Sequence, residues 1–305
     1  MVRLHDDETE TDAALVARLV AAQFPEWASL PVEPVASSGT DNAMYRLGAH
    51  RSVRMPRVRW AVAPLEREFA WLPRIAPSLP NPAPVPLALG EPGEGYPWPW
   101  TVCRWVEGTH PVAGAAEHAD RLASDVATFV RAMRALDTEG APHTVWPRPL
   151  HEEDDLVRTS LASLHEELQP ERAELAAVWD EALAALRATT LTWIHGDLTP
   201  GNLLLRNGRL AGVLDFGAMG VGDPASDLRV AWNLLPPNAR AVFRREVGAD
   251  DATWARARGW VLLQALAQLA YFGERNATLV ASARHVIAEL VAERRPADRQ
   301  NSAES

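Results

Sequence analysis

The chain has 305 residues, more than one hydrophobic core comfortably serves, so two lobes or domains are expected, and 47% apolar content excludes low-complexity disorder. A formal net charge of −10 argues against a nucleic-acid binder, because neutralising phosphates needs a basic face, and it is compatible with a cationic small partner. One cysteine, Cys103, excludes an internal disulfide and a cysteine-based zinc cluster.

The N-terminal MVRLHDDETETD is acidic and lacks the apolar core of a secretory signal, and the longest apolar segment, Gly259 to Phe272, is broken by Gln264 and Gln268. It is too short to span a bilayer, so a cytoplasmic protein without a membrane partner is expected.

Thr11 to Phe24 carries apolar residues at 15, 16, 19, 20 and 24, the helical period, with Pro25 beyond its end. Pro34 to Val53 reads as strand, loop, strand: Val35-Ala36, a polar loop from Ser37 to Asn42, then Met44 to Leu47, a turn at Gly48, and a further strand from Ser52 to Met55. A small polar loop between strands can lay backbone N–H groups over phosphates, although a loop with one glycine is also what an ordinary hairpin uses. Pro64 to Ile75 is a predicted helix with apolar positions 65, 69, 72 and 75, and Glu66 and Glu68 lie off that stripe. The proline-dense stretch Pro77 to Pro99 favours extended structure, with strands over Val85 to Leu89 and Trp100 to Val106; Glu107-Gly108 ends the second. Beyond it the composition changes to helical patterns: Ala115 to Leu136, His151 to Leu168 and Glu171 to Arg187.

Residues 203–205 and 210–214 are apolar runs flanking Arg206-Asn207-Gly208-Arg209, and an Asn-Gly pair in that setting predicts a two-residue hairpin. Counting outward from Arg206 opposite Arg209 sets Asn202 opposite Val213 and Asp215 opposite Pro200. The amide and the acid are then about two strand residues apart, roughly 7 Å, close enough to share a divalent cation. Upstream, Asp197 precedes Asn202 by five residues in a loop broken by Pro200 and Gly201, as suits a carboxylate that accepts or aligns a hydroxyl proton. After the hairpin, Ala252 to Tyr271 and Thr278 to Glu293 are predicted helices.

His195-x-Asp197-Leu198-x-x-x-Asn202 followed by Asp215-Phe216-Gly217 resembles the kinase signature, and glycine at 196 in place of arginine makes it similar to the aminoglycoside phosphotransferase family. The resemblance covers roughly residues 34 to 275. It implies an α+β, bilobal protein-kinase-like fold: a small β-rich nucleotide lobe over 1–106, a larger mainly helical catalytic and substrate lobe over 107–290, and a flexible tail from 291 to 305.

By the same resemblance ATP and Mg²⁺ are the cofactors, and a γ-phosphoryl group passes to a hydroxyl of a small molecule. Asp197 takes the catalytic role and Asn202 and Asp215 hold the metal. Ser38 and Gly39 lie in the loop that covers the phosphates. Arg54 stands where the family normally has a lysine, with Glu68 as its helix partner. The carbonyl of Arg104 and the N–H of Val106 meet the adenine at the hinge. Gly222-Asp223-Pro224-x-x-Asp227-Leu228 matches a short family element read as architectural, with Asp223 or Ser226 capping a helix over Leu228 to Leu235. An aminoglycoside-like or other antibiotic amine is the leading acceptor. A metabolite alcohol (homoserine, choline-like or ketosamine) is the alternative. Arg54 and the glycine-poor loop keep open a nucleotide-binding protein without turnover, and the missing A-P-E segment sets a protein kinase third.

Overall fold

The computed structural model describes residues 8–35, 41–115, 117–144, 149–164, 166–273 and 275–295; Ser38 and Gly39 lie outside the described residues. Helix α1 (Ala13–Gln23) starts where Asp12 accepts a hydrogen bond from the Leu15 N–H at 2.7 Å. Its Val16, Leu19 and Val20 recur at helical spacing, so one stripe is buried against the sheet.

That sheet contains β1 (Val32–Pro34), β2 (Asn42–Leu47), β3 (Arg51–Pro56), β4 (Pro86–Gly90) and β5 (Trp100–Arg104) in the order β1-β2-β3-β5-β4, every pair antiparallel. The first strand is Val32–Pro34, with Val32 paired to Leu47; of the strand expected at Val35-Ala36, Ala36 lies outside the described residues. Tyr45, Leu47, Val53, Met55, Trp100 and Val102 form the small core between this sheet and α1. Between β3 and β4 runs α2 (Val62–Ile75), with Pro64 in its first turn, where no N–H is needed.

The larger lobe holds α3 (Ala119–Arg134), α4 (Asp154–Ala162), α5 (Arg172–Ala184), the short strands β6 (Thr192–Ile194), β7 (Leu203–Arg206), β8 (Arg209–Val213) and β9 (Gly220–Gly222), and then α6 (Val230–Asn233), α7 (Pro237–Val247), α8 (Asp251–Phe272) and α9 (Ala277–Arg294). β6 pairs with β9 and β7 with β8. Phe129, Trp179, Trp193, Phe216, Trp232 and Phe243 lie in one core cluster.

The helix expected over 151–168 breaks after α4, where Ser163 turns its hydroxyl back onto the Thr159 carbonyl at 2.9 Å. α9 continues to Arg294 with Val291 buried, so a boundary at 290 falls inside a helix. Among the described residues no helix is long and apolar enough to cross a membrane.

The lobes meet on the β7–β8 hairpin. Thr109 and Leu205 exchange backbone hydrogen bonds of 3.0 and 2.7 Å, and the Val213 N–H reaches the Pro82 carbonyl at 3.0 Å. Gly212 must be glycine for packing: a Cβ there would lie 2.4 Å from Cγ1 of Val106. The linker between the lobes therefore rests directly on the hairpin that carries the signature residues.

Candidate active site

Two loops flank the hairpin, and buried groups brace both. His195 is fully buried; its backbone N–H and that of Gly196 each donate to the Asp227 carboxylate at 2.8 Å. Its ring accepts at Nδ1 from the Asp197 N–H (3.2 Å) and donates from Nε2 to the Leu214 carbonyl (3.0 Å), which fixes the neutral tautomer with its proton on Nε2. One imidazole thus ties the loop of Asp197 to the loop of Asp215. Gly196 adopts φ +83°, and a Cβ would sit 2.7 Å from the Ala218 carbonyl oxygen. Backbone geometry thus selects glycine where protein kinases carry arginine.

The Asp197 carboxylate accepts from Asn202 Nδ2 at 2.9 Å on one oxygen and from Gln264 Nε2 at 3.3 Å on the other. Asn202 also donates to the Asp197 carbonyl at 2.8 Å, so its amide nitrogen is spent on this loop and its oxygen is the remaining polar atom. Burial pushes the Asp197 pKa up, with the charge of Asp215 adding to it and the buried Arg229 only partly offsetting it.

Asp215 has φ +58°, a left-handed conformation that costs a non-glycine residue energy and is held here by its partners. Its carboxylate accepts from Arg54 Nη2 at 2.7 Å and from the Gly217 N–H, and the side chain is still 43% exposed. Burial opposes ionisation, but the Arg54 guanidinium outweighs it and holds the Asp215 pKa below the ordinary value. Phe216 is buried with its ring 4.7 Å from that of His195.

Arg54 and Glu68 are both buried and paired at 2.5 Å, and Glu68 also accepts from the Phe216 N–H. Burial pushes Glu68 up to about 7 against the pull of Arg54. Burial would lower the Arg54 pKa, yet Asp215 and Glu68 together hold it above the ordinary arginine value. Glu66, the other acid of α2, is exposed. At the hinge, the Arg104 N–H binds the Val85 carbonyl at 2.9 Å and the Trp105 N–H binds the His50 carbonyl at 3.0 Å. Among the described residues the Val106 N–H has no protein acceptor.

Asp197, Asn202, Asp215, Arg54 and Glu68 thus come together from four segments, with Arg104 and Val106 at the linker. The hairpin count needs one correction. Arg206 does face Arg209, but pairing shifts between Leu204–Gly212 and Leu205–Leu210, leaving Ala211 as a bulge. Leu203 consequently faces Val213, and Asn202 accepts from the Leu214 N–H at 2.8 Å. Asn202 is therefore one position from Asp215, where unbulged counting gave two.

The expected helix cap is also corrected. Asp223 accepts from the Ala225 N–H at 2.9 Å and pairs with Arg256 of α8 at 2.8 Å, so it anchors a turn to that helix. The Ser226 hydroxyl is buried without a partner, and α6 spans four residues. Sequence reasoning passed over Gln264, whose only signal was a polar residue interrupting an apolar run, and gave Asp227 no specific contact.

A β-sheet lobe with an ion-paired helix, a linker seated on a hairpin and two acidic loops either side of it define the kinase-like class of phosphotransferases. The chain matches the phosphotransferase enzyme family over residues 32–260 and belongs to it. It is 32% identical over 195 residues to the viomycin phosphotransferase of Streptomyces vinaceus, covering 60% of this chain and 67% of the relative. Identity is also 32% over 180 residues with the aminoglycoside 3'-phosphotransferase of Streptomyces fradiae, covering 56% of this chain and 61% of the relative.

The fold is that of the GDP complex of wild-type aminoglycoside 2'-phosphotransferase-IIIa, with a TM-score of 0.74 at 20% identity over 93% of this chain and 99% of that one. Macrolide 2'-phosphotransferase MphH from Brachybacterium faecium aligns with a TM-score of 0.61 at 18% identity, over 92% and 97% of the two chains.

Proposed function

We propose that the protein moves the γ-phosphoryl group of ATP or GTP onto a hydroxyl of a small antibiotic-like acceptor, with an aminoglycoside-like or other antibiotic amine as the leading class. The observation that carries this reading is the pair Asp197 and Asp215, whose loops the His195 ring ties together and whose neighbours drive their pKa values in opposite directions. Solved relatives hold GDP, ADP, kanamycin and gentamicin, and the net charge of −10 favours a cationic acceptor. Metabolite alcohols are the second acceptor class. Consumption of a nucleoside triphosphate fits a cytoplasmic setting.

In this reading Asp197, with one oxygen held by Asn202 and the other by Gln264, aligns the acceptor hydroxyl and takes its proton. The oxygen of Asn202 and the half-exposed, readily ionised carboxylate of Asp215 are the hard donors that would hold Mg²⁺. Bound there, the ion would neutralise charge on the phosphate oxygens. Arg54 brings a fixed positive charge to the same edge of the cleft, and the Val106 N–H and Arg104 carbonyl receive the base. The segment to residue 106 serves the nucleotide; residues 107–290 serve catalysis and the acceptor.

Incubating the purified protein with ATP or GTP and a panel of hydroxylated amines, read by mass shift of the acceptor, tests the proposal. Phosphorylation of an amine that vanishes in Asp197→Ala supports it; equal rates for both proteins would remove it.

A further inference from the structure

Arg54 is the departure that the family resemblance leaves open, and its surroundings explain it. Arg54 is 8% exposed, and its guanidinium carries five N–H donors in one plane. Nη1 donates to Glu68 at 2.5 Å, and Nη2 donates to Asp215 at 2.7 Å. A third acceptor stands on the neighbouring strand. Met44 of β2 lies opposite Arg54 of β3, so Asn42, two residues along the same face, is its diagonal neighbour. With its amide oxygen turned inward, the orientation that satisfies both of its polar atoms, Asn42 accepts from Arg54 Nε at 3.2 Å and from Nη2 at 3.1 Å.

These bonds account for four of the five donors and leave one hydrogen on Nη1. The plane of the guanidinium is fixed at three points, so that hydrogen has one direction. A lysine ammonium is a point charge with three donors. Serving Glu68, Asp215 and the Asn42 oxygen would take all three from a single atom and leave no hydrogen for phosphate.

We propose that Asn42 is a positioning residue for the nucleotide phosphates: with Glu68 and Asp215 it forms a socket that orients the Arg54 guanidinium, and this socket makes the site specific for arginine at position 54. The inference rests on reading Arg54 as the cation that meets phosphate. Asn42 touches no reacting atom; it acts through Arg54.

The test is a double-mutant cycle on Asn42→Ala and Arg54→Lys, with Asn42→Asp as the conservative variant. Affinity for fluorescent N-methylanthraniloyl derivatives of ATP and GTP with Mg²⁺ is one readout. Exchange of the Arg54 Nε–H, followed by NMR without nucleotide, is the other. Each of the first two variants is expected to weaken nucleotide binding about tenfold, since Asn42→Ala strands the Arg54 Nε–H and Arg54→Lys leaves no hydrogen for phosphate, and Arg54→Lys should add little once Asn42 is alanine. Asn42→Asp keeps an inward oxygen but adds a charge, so it is read by the exchange of the Nε–H and not by nucleotide affinity. The Nε–H should exchange slowly in the wild type and in Asn42→Asp, and quickly in Asn42→Ala.

Nucleotide binding left within about twofold by Asn42→Ala, or purely multiplicative effects in the double mutant, would overturn this inference and leave the functional reading standing. A slow Nε–H that persists in Asn42→Ala overturns it too. A wild-type protein that protects the Nε–H but binds neither nucleotide would overturn both readings.

Discussion

Asp197 and Asp215 are near enough to feel each other's charge, yet the loops that carry them treat a carboxylate in opposite ways. The donors to the Asp197 carboxylate are neutral amides, Asn202 and Gln264 of α8, and burial raises its pKa against the partial offset of Arg229. The Asp215 loop sets its acid against a guanidinium, which lowers it. Neighbours, and not residue type, therefore separate two aspartates, and the proposed reaction uses that difference: one to exchange a proton, the other to stay anionic for a cation.

The largest break in that contrast should come from Asp215→Asn. It removes a proposed metal oxygen and leaves the buried Arg54 with one carboxylate partner, Glu68. Turnover is expected to fall by at least about 10³-fold, and nucleotide binding should lose its dependence on Mg²⁺. Titration with the fluorescent nucleotides, with and without the metal, measures the second effect.

Asp197→Asn should cost about 10²- to 10⁴-fold in turnover with nucleotide affinity nearly unchanged. The pH profiles sharpen the same point. Turnover needs Asp197 ionised and its pKa is raised, so kcat falls on acidification through a pH at which Asp215, with its depressed pKa, is still anionic. Nucleotide affinity should survive to lower pH than kcat does. Following both from about pH 8 down to pH 4 brackets the ordinary carboxylate range, and two curves that drop together would erase the distinction.

Asp227→Asn tests whether the Asp197 loop owes its shape to the backbone bonds at His195 and Gly196. The carboxylate is buried and accepts two N–H groups, and an amide offers one acceptor and a misplaced donor. A loss of about 2–3 kcal/mol in urea denaturation is expected, with turnover reduced in the fraction that remains folded.

What could be read from the sequence divides along the same line as the chemistry. The Asn207-Gly208 turn was legible because both residues need positive φ, and they show +54° and +70°. That is a local requirement. Glu68 is one of two α2 acids off the apolar stripe; its distance from Leu72 favours it over Glu66, and only the resemblance supplies the strand cation as its partner. The bulge at Ala211 was not legible, because it goes with Gly212 packed beneath Val106, a residue of the distant linker. Asn42 needed the β2–β3 register, and Gln264 needed the path of α8 past the catalytic loop. Residues that touch the reacting groups leave motifs; those that hold them leave tertiary contacts.

The hairpin sets the distance between the two acidic loops, so disturbing it should move both together. Gly212→Ala drives a methyl into Val106, whose branched side chain has little rotamer freedom, and is expected to cost about 1–3 kcal/mol. Because the Val106 N–H is the proposed contact to the base, nucleotide affinity should fall alongside stability. A variant that loses stability alone would separate the linker from the base site.

Asp125 of α3 grips the outer end of the hairpin: its carboxylate accepts from both Arg209 Nε and Nη2 at 2.7 Å and from the Leu210 N–H at 3.1 Å. Burial opposes the shift, but these bonds hold its pKa below the ordinary value. A depressed folded pKa means that the bonds stabilise the fold above the unfolded value of about 4 and cease to do so as pH falls through the folded one. Asp125→Asn should therefore destabilise the protein at neutral pH, with the two stability curves converging in acid. Arg209 is 63% exposed, so solvent screens much of the pairing and this effect is the smallest of the set. Urea midpoints measured from neutral pH down through about pH 3 test the sign: a gap that widens in acid would mean that the hairpin is anchored by something other than this carboxylate.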